Sequence, residues 1–589
     1  MNSQNLIFGS SSLQKTIWLF VILILAIPVV ADNTPKLLTS ISPTQWQTSI
    51  PELMLKARIP GLSVAVILDG EIVWSDAFGV KNDSTKEPCD EATIFEAASL
   101  TKPFFAYIVI QYVSEGKLDL DKPLVEYISE KIIADSLLAH PFDQPGFRRD
   151  WFEKITARQI LSHSSGMPHG EPADSCYPLL FEPGEKFKYS ASGYRFLQLV
   201  LENIEGATLD EIARQRVLDP LGMTHTSLVW RDGYEQAAAN GHDMFGTPQD
   251  HRRWPRASAA ASMYTNATDY AKFICAILNN KQLSRDNIAA MLKPQIKVDD
   301  HLSWSLGFGR QQDSNGMAFW QWGDYGIYRN FVMAYDKQRS GIIWLTNSFY
   351  GLSILDEFVE RCVGGKEYAN AYIEYPAYDS PTMRFVFYAI DNGAGAALKR
   401  IDDFKGEGYD EVNERALNDI GYAFLNVNRV GEAIALFQYN IHEYPKSANV
   451  WDSYAEACMK AGELDSAFVY YKKSIELNPS SSNAKKRIEW ISLELEAREN
   501  PMKLTEQELS VFAGDYGPRH LRVQNDTLYY SRDGSTNPER YIYPLKDNWF
   551  GLQGNVDWRF HFVLDEAGKA VAIEGWVFMG MVDKHERNR

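Results

Sequence analysis

The 589-residue sequence predicts a multidomain protein, in which an α+β (α/β) domain precedes an all-α repeat region and a small antiparallel β domain. Three observations predict this order. Short apolar strands flank a long helical stretch, residues 414–481 match themselves at a shift of 34, and apolar and polar residues alternate after residue 505. At roughly 100–200 residues per domain, this length suits three or four domains.

The first domain is predicted over residues 40–375. Residues 60–80 indicate two strands joined at Asp69-Gly70, because Asp-Gly between apolar runs favours a hairpin. Residues 103–118 predict an apolar helix that ends at Gly116. Short aromatic strands return at 304–310, 318–323, 328–335 and 341–347. Strands at both ends with helices between them indicate one sheet built from the two ends of the domain.

The second region is predicted over residues 380–500 and contains an internal repeat. Residues 414–447 align with residues 448–481, with residues 382–410 as a degenerate helical lead-in. The matched pairs are Gly421 with Ala455, Ala433 with Ala467, Phe437 with Tyr471, and Pro445 with Pro479. This period and these residue types resemble tetratricopeptide repeats, in which small residues let paired helices approach. Such repeats commonly bind peptides, which makes a protein partner possible; bracing of the neighbouring domains is the alternative.

The last region, residues 505–585, predicts a small antiparallel sheet or barrel. Apolar and polar residues alternate there around turn signals at Asn525-Asp526 and Glu566–Gly568. This region contains no recognisable catalytic constellation.

The N-terminus predicts export. Residues 16–30 form an apolar run of about 15 residues, shorter than the roughly 20 that a spanning helix needs. Ala31 closes the run like a cleavage site, so residues 1–31 are predicted to be a signal peptide and the protein to be periplasmic or secreted. The alternative is an uncleaved anchor, and only in that case does the chain meet a membrane.

Composition excludes several classes of protein. The net charge of −18 and the lack of a basic stripe argue against nucleic-acid binding, which needs clustered Lys and Arg. The five cysteines are far apart and odd in number, which indicates neither a metal site nor a dense disulfide framework.

One Ser-x-x-Lys pair differs from the others in its surroundings. The pattern occurs four times, beginning at Ser12, Ser99, Ser114 and Ser482, so the spacing alone decides nothing. Lys102 lies in the otherwise apolar stretch "EAASLTKPFF" of residues 96–105. On a helix, Ser99 and Lys102 share one face, and a serine in the first turn lies near the positive end of the helix dipole. A lysine pressed against apolar neighbours loses its proton more readily, so the pair has the ingredients of an activated nucleophile.

Two later stretches complete a candidate site. Tyr189 in "FKYSASGYRF" follows a turn and is a candidate base or proton shuttle. Gln321, Trp322 and Gly323 occupy a predicted strand where they can bind substrate, the glycine allowing close backbone approach.

These three motifs, in this order, resemble the serine β-lactamase-related family, which includes class C β-lactamases, penicillin-binding proteins, D-aminopeptidases and carboxylesterases. The resemblance covers residues 50–350. Four further phrases are similar to segments of that family: "ILSHSSGM" (160–167), "DPLGMTHTSL" (219–228), "AAASMYTNATDYAKFI" (259–274) and "SLGFG" (305–309).

The resemblance implies a β-lactamase-like transpeptidase fold and a role for each motif. Ser99 attacks a carbonyl to form an acyl-enzyme, and Lys102 and Tyr189 share the proton transfers, with Tyr189 as a phenolate base. The backbone N–H groups of Ser99 and Asp324 form the oxyanion hole. Gln321, Trp322 and Gly323 bind a small ester or peptide substrate. Neither a metal nor an organic cofactor is implied.

Two motifs depart from the family pattern. The family's Tyr-x-Asn reads Tyr189-Ser190-Ala191, and its Lys-Thr-Gly or His-x-Gly has Gln321 in place of the basic residue. Both changes keep the nucleophile and base while weakening features suited to β-lactams and D-Ala termini.

Three functions follow as hypotheses. The first is an exported, esterase-like or amide-cleaving serine hydrolase. The second is a D-amino-acid peptidase, carboxypeptidase or penicillin-binding protein of cell-wall metabolism. The third is a non-catalytic binding protein that uses the tetratricopeptide repeats. Ser99, Lys102 and Tyr189 together favour an enzyme. His163 is interpreted as a structural residue rather than a second base, whereas Trp320 and Trp322 fit either a pocket wall or core packing.

Overall fold

The computed structural model describes residues 43–136, 147–170, 179–364, 368–407, 411–535, 539–577 and 580–588. The predicted signal peptide, residues 1–31, lies outside the described residues, as does Cys176. The chain divides into two compact units, and the boundary along the chain falls between Ile373 and Glu374. No helix within the described ranges is long and apolar enough to cross a membrane.

Strands from both ends of the first unit form its main sheet, as the sequence predicts. The strands of this unit are β1 (Gly61–Leu68), β2 (Glu71–Asn82), β3 (Glu87–Pro88), β4 (Phe95–Ala98), β5 (Met263–Thr265), β6 (Ile296–Lys297), β7 (Leu302–Trp304), β8 (Gly309–Asp313), β9 (Gly316–Asp324), β10 (Arg329–Tyr335) and β11 (Ser340–Thr346). In the described residues, the main sheet has the order β3-β2-β1-β11-β10-β9-β8-β7-β6, and β4 pairs separately with β5.

The central strand β1 explains why the sheet joins the two ends of the unit. β1 is apolar and buried along almost its whole length, and it pairs antiparallel with β2 on one side and with β11 on the other. The β1–β2 hairpin turns at Asp69 and Gly70, both with positive φ, as the Asp-Gly signal predicts.

Helices cover this sheet and surround the apolar core. They are α1 (Pro43–Lys56), α2 (Thr101–Ser114), α3 (Glu130–Ser136), α4 (Arg149–Phe152), α5 (Ala157–Leu161), α6 (Ser192–Glu205), α7 (Leu209–Ala213), α8 (Asp219–Leu221), α9 (Tyr234–Ala237), α10 (Ala267–Leu278), α11 (Arg285–Leu292), α12 (Leu355–Cys362) and α13 (Ala369–Ile373). Residues 101–112 of α2 are all buried, so this helix is the axis around which the unit packs.

Two local predictions were wrong in their bounds. The helix predicted over 103–118 spans Thr101–Ser114, because the chain turns before Gly116, which has positive φ. The strand predicted over 304–310 is two strands, β7 and β8. Gly307 breaks it: its φ is +103°, and a Cβ there would lie 2.5 Å from the Cβ of Ala106 on α2.

The helical part of the second unit shows the predicted spacing. Its helices are α14 (Pro381–Asn392), α15 (Ala394–Leu398), α16 (Glu414–Asn426), α17 (Val430–Glu443), α18 (Ala448–Lys460), α19 (Leu464–Leu477), α20 (Ser482–Glu499) and α21 (Glu506–Leu509). The first residues of α16 and α18 are 34 positions apart, as are those of α17 and α19.

Small and aromatic side chains let these helices pack in pairs. Ala433, Ala455 and Ala467 are fully buried. Gly421 faces the ring of Phe437, and a Cβ at this glycine would lie 2.4 Å from a ring atom. The matched glycine, alanine and aromatic positions of the internal repeat are therefore packing positions between neighbouring helices, whereas Pro445 and Pro479 are exposed and follow α17 and α19.

The chain after residue 513 forms an antiparallel meander. Its strands are β12 (Gly514–Tyr516), β13 (Arg519–Gln524), β14 (Thr527–Arg532), β15 (Arg540–Pro544), β16 (Trp549–Leu552), β17 (Asn555–Leu564), β18 (Ala570–Val577) and β19 (Gly580–Glu586). Each strand pairs with the next. A bridge from Tyr516 to Arg587 joins the first strand to the chain just after the last, so the sheet nearly closes into a barrel.

Helix α20 packs against this β domain through Trp490. The Trp490 indole N–H donates to the carbonyl of Val556 at 2.8 Å. The buried guanidinium of Arg559 lies 3.9 Å from the Trp490 ring and 3.2 Å from the carboxylate of Glu494. The last long helix and the β domain thus share one interface within the second unit.

Candidate active site

Ser99 lies in a tight turn between β4 and α2. It precedes the first helical residue by two positions, so it is not in the first turn of the helix as predicted. Ala98 holds a φ of +49°, a conformation that L-residues rarely adopt. The hydroxyl of Thr101 donates to the Ala98 carbonyl at 2.7 Å and accepts from the N–H of Met263. These bonds fix the strained turn that presents the serine.

The structure brings Ser99 and Lys102 together. Lys102 Nζ lies 2.9 Å from Ser99 Oγ and donates to the carbonyl of Ala260 at 2.7 Å. The lysine is 1% exposed and packs against the rings of Tyr189 and Tyr194. Burial, with a smaller contribution from the nearby charge of Arg195, lowers the pKa of Lys102 to about 7. A large fraction of this amine is therefore neutral at neutral pH, with a lone pair able to accept a proton.

Tyr189 completes the cluster, and its surroundings disfavour loss of its proton. Its hydroxyl accepts from Gln321 Nε2 at 2.7 Å and interacts with the Ser99 hydroxyl. Burial raises the pKa of Tyr189 well above its usual range, and the hydrogen bonds to Ser99 and Gln321 only partly oppose this. The phenolate form expected from the sequence is therefore disfavoured, because the site is too dry to stabilise its charge.

Gln321 contacts both the nucleophile and the tyrosine, and its role as a substrate-binding residue stays a prediction. It is fully buried, and its amide N–H groups donate to Tyr189 Oη and, at 3.2 Å, to the Ser99 carbonyl. Its Oε1 has no hydrogen-bond partner. Gln321 thus connects the third motif to the nucleophile and to the tyrosine, and it adds no charge to the site.

Gly323 allows β9 to pass directly beside β4, the strand that precedes Ser99. A Cβ at Gly323 would lie 2.2 Å from the carbonyl oxygen of Ala97, so no larger residue fits there without backbone movement. Asp324 follows, and its carboxylate accepts from Arg329 Nε at 3.1 Å and from the N–H of Gly326 at 2.6 Å. The close approach places β9 beside Ala97, two residues before Ser99, and the oxyanion-hole role of Ser99 and Asp324 stays a prediction.

The two tryptophans of β9 have different surroundings. Trp320 is fully buried and stacks on Phe331, which makes it a core residue. Trp322 is only half-buried, and its ring centroid lies 4.7 Å from that of Tyr189 and 5.8 Å from that of Tyr372. Trp322 therefore forms an aromatic wall beside the catalytic cluster.

His163 has a structural position. It is fully buried, and its Nδ1 accepts from the N–H of Ser190 at 3.1 Å, next to Tyr189. Burial, with Lys102 nearby, lowers its pKa well below the usual range and keeps the ring neutral. His163 thus holds the Tyr189 loop, which fits the interpretation as a structural residue.

Two contributors to the site escape sequence reasoning. The Ala260 carbonyl orients Lys102. Ala260 lies in the family phrase of residues 259–274, but nothing in that phrase indicates that one of its backbone carbonyls accepts a hydrogen bond from the lysine. Tyr372 on α13 contacts Trp322 and Phe187, although no motif marks it. In the part of the chain that the structure describes, no group of three or more His, Cys, Asp or Glu side chains could hold a metal ion.

The family model described as β-lactamase matches residues 46–358, which is more than half of the chain. The chain belongs to the β-lactamase family. It is accordingly a serine hydrolase of the β-lactamase-related type. The matched range contains every residue of the predicted site and ends before Tyr372.

Characterised relatives align with this family domain. Protein flp of Staphylococcus aureus (strain MRSA252) is 24% identical over 363 residues, covering 56% of this chain and 69% of that protein. Unguisins hydrolase ungD of Aspergillus violaceofuscus is 27% identical over 266 residues, covering 40% of this chain and 45% of that protein.

Solved structures also align with the chain. The octameric penicillin-binding protein homologue from Pyrococcus abyssi has a TM-score of 0.44 and 17% identity, with 91% of this chain and 98% of that chain covered. A class C β-lactamase in complex with cefoxitin has a TM-score of 0.45 and 19% identity, with 51% and 92% covered.

Proposed function

We propose that the protein hydrolyses small neutral esters or amides through an acyl-enzyme on Ser99. The observation that carries this proposal is the contact of 2.9 Å between Ser99 Oγ and Lys102 Nζ. Lys102 is buried, and its amine is only partly protonated at neutral pH. A nucleophile beside a base whose pKa is near the working pH is the arrangement that general base catalysis needs.

In the first step, Ser99 Oγ bonds to the substrate carbonyl carbon while its proton passes to the lone pair of Lys102. Ala260 holds the Lys102 amine in place during the transfer. The negative charge moves to the former carbonyl oxygen, where the backbone N–H groups of Ser99 and Asp324 stabilise it. Preorganised donors of this kind are usually a large part of catalysis.

Collapse of the tetrahedral intermediate breaks the bond to the alcohol or amine. The leaving group takes a proton that returns from Lys102 by way of the Tyr189 hydroxyl, which interacts with Ser99. A water molecule then attacks the acyl carbon and gives a proton to Lys102. The bond from the acyl carbon to Ser99 Oγ breaks as Lys102 returns that proton to Oγ, which releases the acid and regenerates both Ser99 and the neutral amine. Tyr189 therefore acts as a neutral relay rather than as a phenolate base.

The surroundings of Ser99 favour a neutral acyl group. Gln321 brings no positive charge for a substrate carboxylate, and its amide is already bonded to Tyr189. Ser190, in the second motif, donates to the Pro168 carbonyl and accepts from the N–H of Gly193, so its hydroxyl is engaged within the fold. The half-buried ring of Trp322 offers apolar contact instead.

Covalent labelling tests the proposal directly. A fluorophosphonate probe should modify the folded protein once, and mass spectrometry of its peptides should place the adduct on Ser99. The peptides that contain Ser114 and Ser482, which have the same Ser-x-x-Lys spacing, provide an internal control and should remain unmodified. Turnover of short-chain esters, D-amino-acid peptides and a chromogenic cephalosporin then ranks the substrate classes. An adduct elsewhere, or cephalosporin turnover exceeding ester turnover, contradicts the proposal.

The rate should depend on pH through Lys102. Below a pH of about 7 the amine is protonated and has no lone pair, so kcat/KM for a neutral ester should fall roughly tenfold per pH unit; above it the profile should level off. Tyr189→Phe should lower the plateau but keep this limb. A flat profile between about pH 5 and 9 would assign the proton transfer to another group.

The protein is proposed to act after export, with Asp32 as the first residue of the mature chain. The apolar run of residues 16–30 and Ala31 motivate this proposal. N-terminal sequencing of the exported protein checks it, and recovery of residues 1–31 in a membrane fraction would identify an anchor instead.

The helical region is proposed to be a tetratricopeptide array that offers a surface to a peptide partner. The 34-residue spacing of its helices and the contact of Gly421 with Phe437 support this. Gly421→Ala should destabilise the region by about 1–3 kcal/mol, because the aromatic ring cannot move aside. Gly431→Ala, where a Cβ meets nothing within 4 Å, should be neutral or stabilising. Urea unfolding followed by circular dichroism distinguishes these outcomes.

A further inference from the structure

The β domain contains a pocket of about 220 Å³ that has no part in the chemistry above. Its walls include Tyr530 on β14, Leu552 on β16 and Trp558 on β17, and two cations, Arg532 and Arg540, also line it. We call it the β-domain pocket. Aromatic walls with two guanidinium groups are suited to a small molecule that has both an apolar part and a negative charge.

A third guanidinium, that of Arg519, is buried beside this pocket. Arg519 is fully buried, and its Nη2 donates to Asp583 at 2.5 Å. Its Nε and Nη1 atoms have no hydrogen-bond partner. Gly575 makes room for the group, since a Cβ there would lie 2.4 Å from Nη2. Unpaired buried donors cost about 1–3 kcal/mol each, so the fold alone gains little from this arginine.

Arg519 is in contact with the pocket walls. Its guanidinium carbon lies 5.8 Å from the centre of the Trp558 ring and 5.2 Å from that of Phe560. Tyr530 packs on Phe560 at 4.7 Å, and the charge of Arg519 and a hydrogen bond to it partly oppose the rise that burial causes in the pKa of Tyr530. Arg519 therefore lies behind the walls of the pocket, where its charge acts on a ligand between Tyr530 and Trp558, while Arg532 and Arg540 are the guanidinium groups that line the pocket itself.

The charges around the pocket favour an anion. Arg519, Arg532 and Arg540 contribute three positive charges, and Asp583, 2.5 Å from Arg519 and 3.8 Å from Arg532, offsets one of them. The excess of positive charge is what a carboxylate needs, and guanidinium groups bind carboxylates by charge-assisted hydrogen bonds.

A second buried arginine of the domain shows what a purely structural role looks like. Arg559 is also fully buried, but it stacks on Trp490 at 3.9 Å and faces Glu494, which ties the domain to α20. Neither arginine lines the β-domain pocket, and both have unpaired Nε and Nη1 atoms. Arg519 differs in its neighbours, because it packs on the pocket wall at Trp558, where its charge adds to those of Arg532 and Arg540.

We propose that the β-domain pocket binds a small carboxylate, whose flat apolar part lies between Tyr530 and Trp558 and whose oxygens accept from Arg532 and Arg540. The volume admits a molecule of the size of an aromatic acid. This binding is independent of Ser99 and of the hydrolytic site.

Calorimetric titration of the full-length protein with benzoate, and with neutral benzamide of nearly the same shape, tests the proposal. Benzoate should bind at least about tenfold more tightly, because only it forms charge-assisted hydrogen bonds. Blocking Ser99 with fluorophosphonate should leave the affinity for benzoate unchanged. Absence of benzoate binding, equal affinity for the two probes, or loss of binding on blocking Ser99 would overturn the proposal.

Two matched charge reversals locate the site. Arg532→Glu, on the pocket wall and 41% exposed in its side chain, should weaken benzoate binding by about tenfold or more. Arg522→Glu makes the same charge change on β13, outside the pocket and 71% exposed, and should have no effect. Arg540→Gln, also on the pocket wall, should weaken binding in the same direction; if it fails to fold, the Arg532 and Arg522 pair still decides. Equal effects of the two reversals would mean that the affinity for benzoate depends only on the net charge of the protein.

Discussion

Ser99→Ala is expected to reduce kcat for the best ester substrate by about 10⁴- to 10⁶-fold, the largest effect of any single substitution. Without the nucleophile, only substrate binding and oxyanion stabilisation remain, and these leave a small residual rate. The serine is half-buried in a turn that other residues fix, so the protein should remain folded. Stopped-flow or prolonged steady-state assays measure the loss, and circular dichroism checks the fold.

Ser114→Ala is the matched control for this substitution. Ser114 has the same spacing to a lysine and lies at the opposite end of α2, where its hydroxyl donates to the carbonyl of Gln111 at 2.8 Å. Its replacement should leave the rate nearly unchanged. A Ser99→Ala protein that keeps more than about a hundredth of the activity would remove Ser99 from the mechanism.

Lys102→Met is expected to lower kcat by about 10²- to 10⁴-fold, the usual contribution of a general base. Methionine fills much of the same buried volume, so the loss reports the amine rather than a cavity. The limb of the pH profile near 7 should also disappear, since the group that titrates there has gone. The simultaneous loss of rate and limb distinguishes a base from a residue that merely supports the site.

Lys117→Met provides the control for the lysine. Unlike Lys102, Lys117 is exposed and forms ion pairs with Glu115 and Glu205. Exposed pairs of this kind contribute little. If Lys102→Met retains the limb near pH 7, the base is another group, and the role of Lys102 is limited to orienting Ser99.

Local spacing was enough to predict much of this protein. The Asp69-Gly70 hairpin and the 34-residue helix spacing each depend on residues close in sequence, and both are found as predicted. The contact of Ser99 with Lys102 also joins residues close in sequence, although Ser99 lies in the turn before α2 rather than on one helix face with Lys102. Family phrases also fixed the order of the motifs along the chain.

The remaining features depend on contacts between distant parts of the chain. Gly307 breaks a predicted strand because it must pass beside Ala106, 201 positions earlier. Gln321 donates hydrogen bonds to Tyr189 and to the Ser99 carbonyl, and burial by the surrounding chain raises the pKa of Tyr189. Periodicity and residue type contain no information on such approaches, since they are set by the assembled core.

The pairing of β1 with β11 determines when the first unit can complete its main sheet during synthesis. Leu62 pairs with Thr346, so the second edge of β1 has no partner until the ribosome has added almost the whole unit. At about 5–20 residues per second, this takes roughly 15–60 s. Throughout that interval the β1–β2 hairpin presents an apolar strand edge that another chain could pair with. The nascent chain is therefore prone to aggregation for a long time. Strand β9, which carries Gly323 beside the nucleophile, is among the last parts of the unit to emerge.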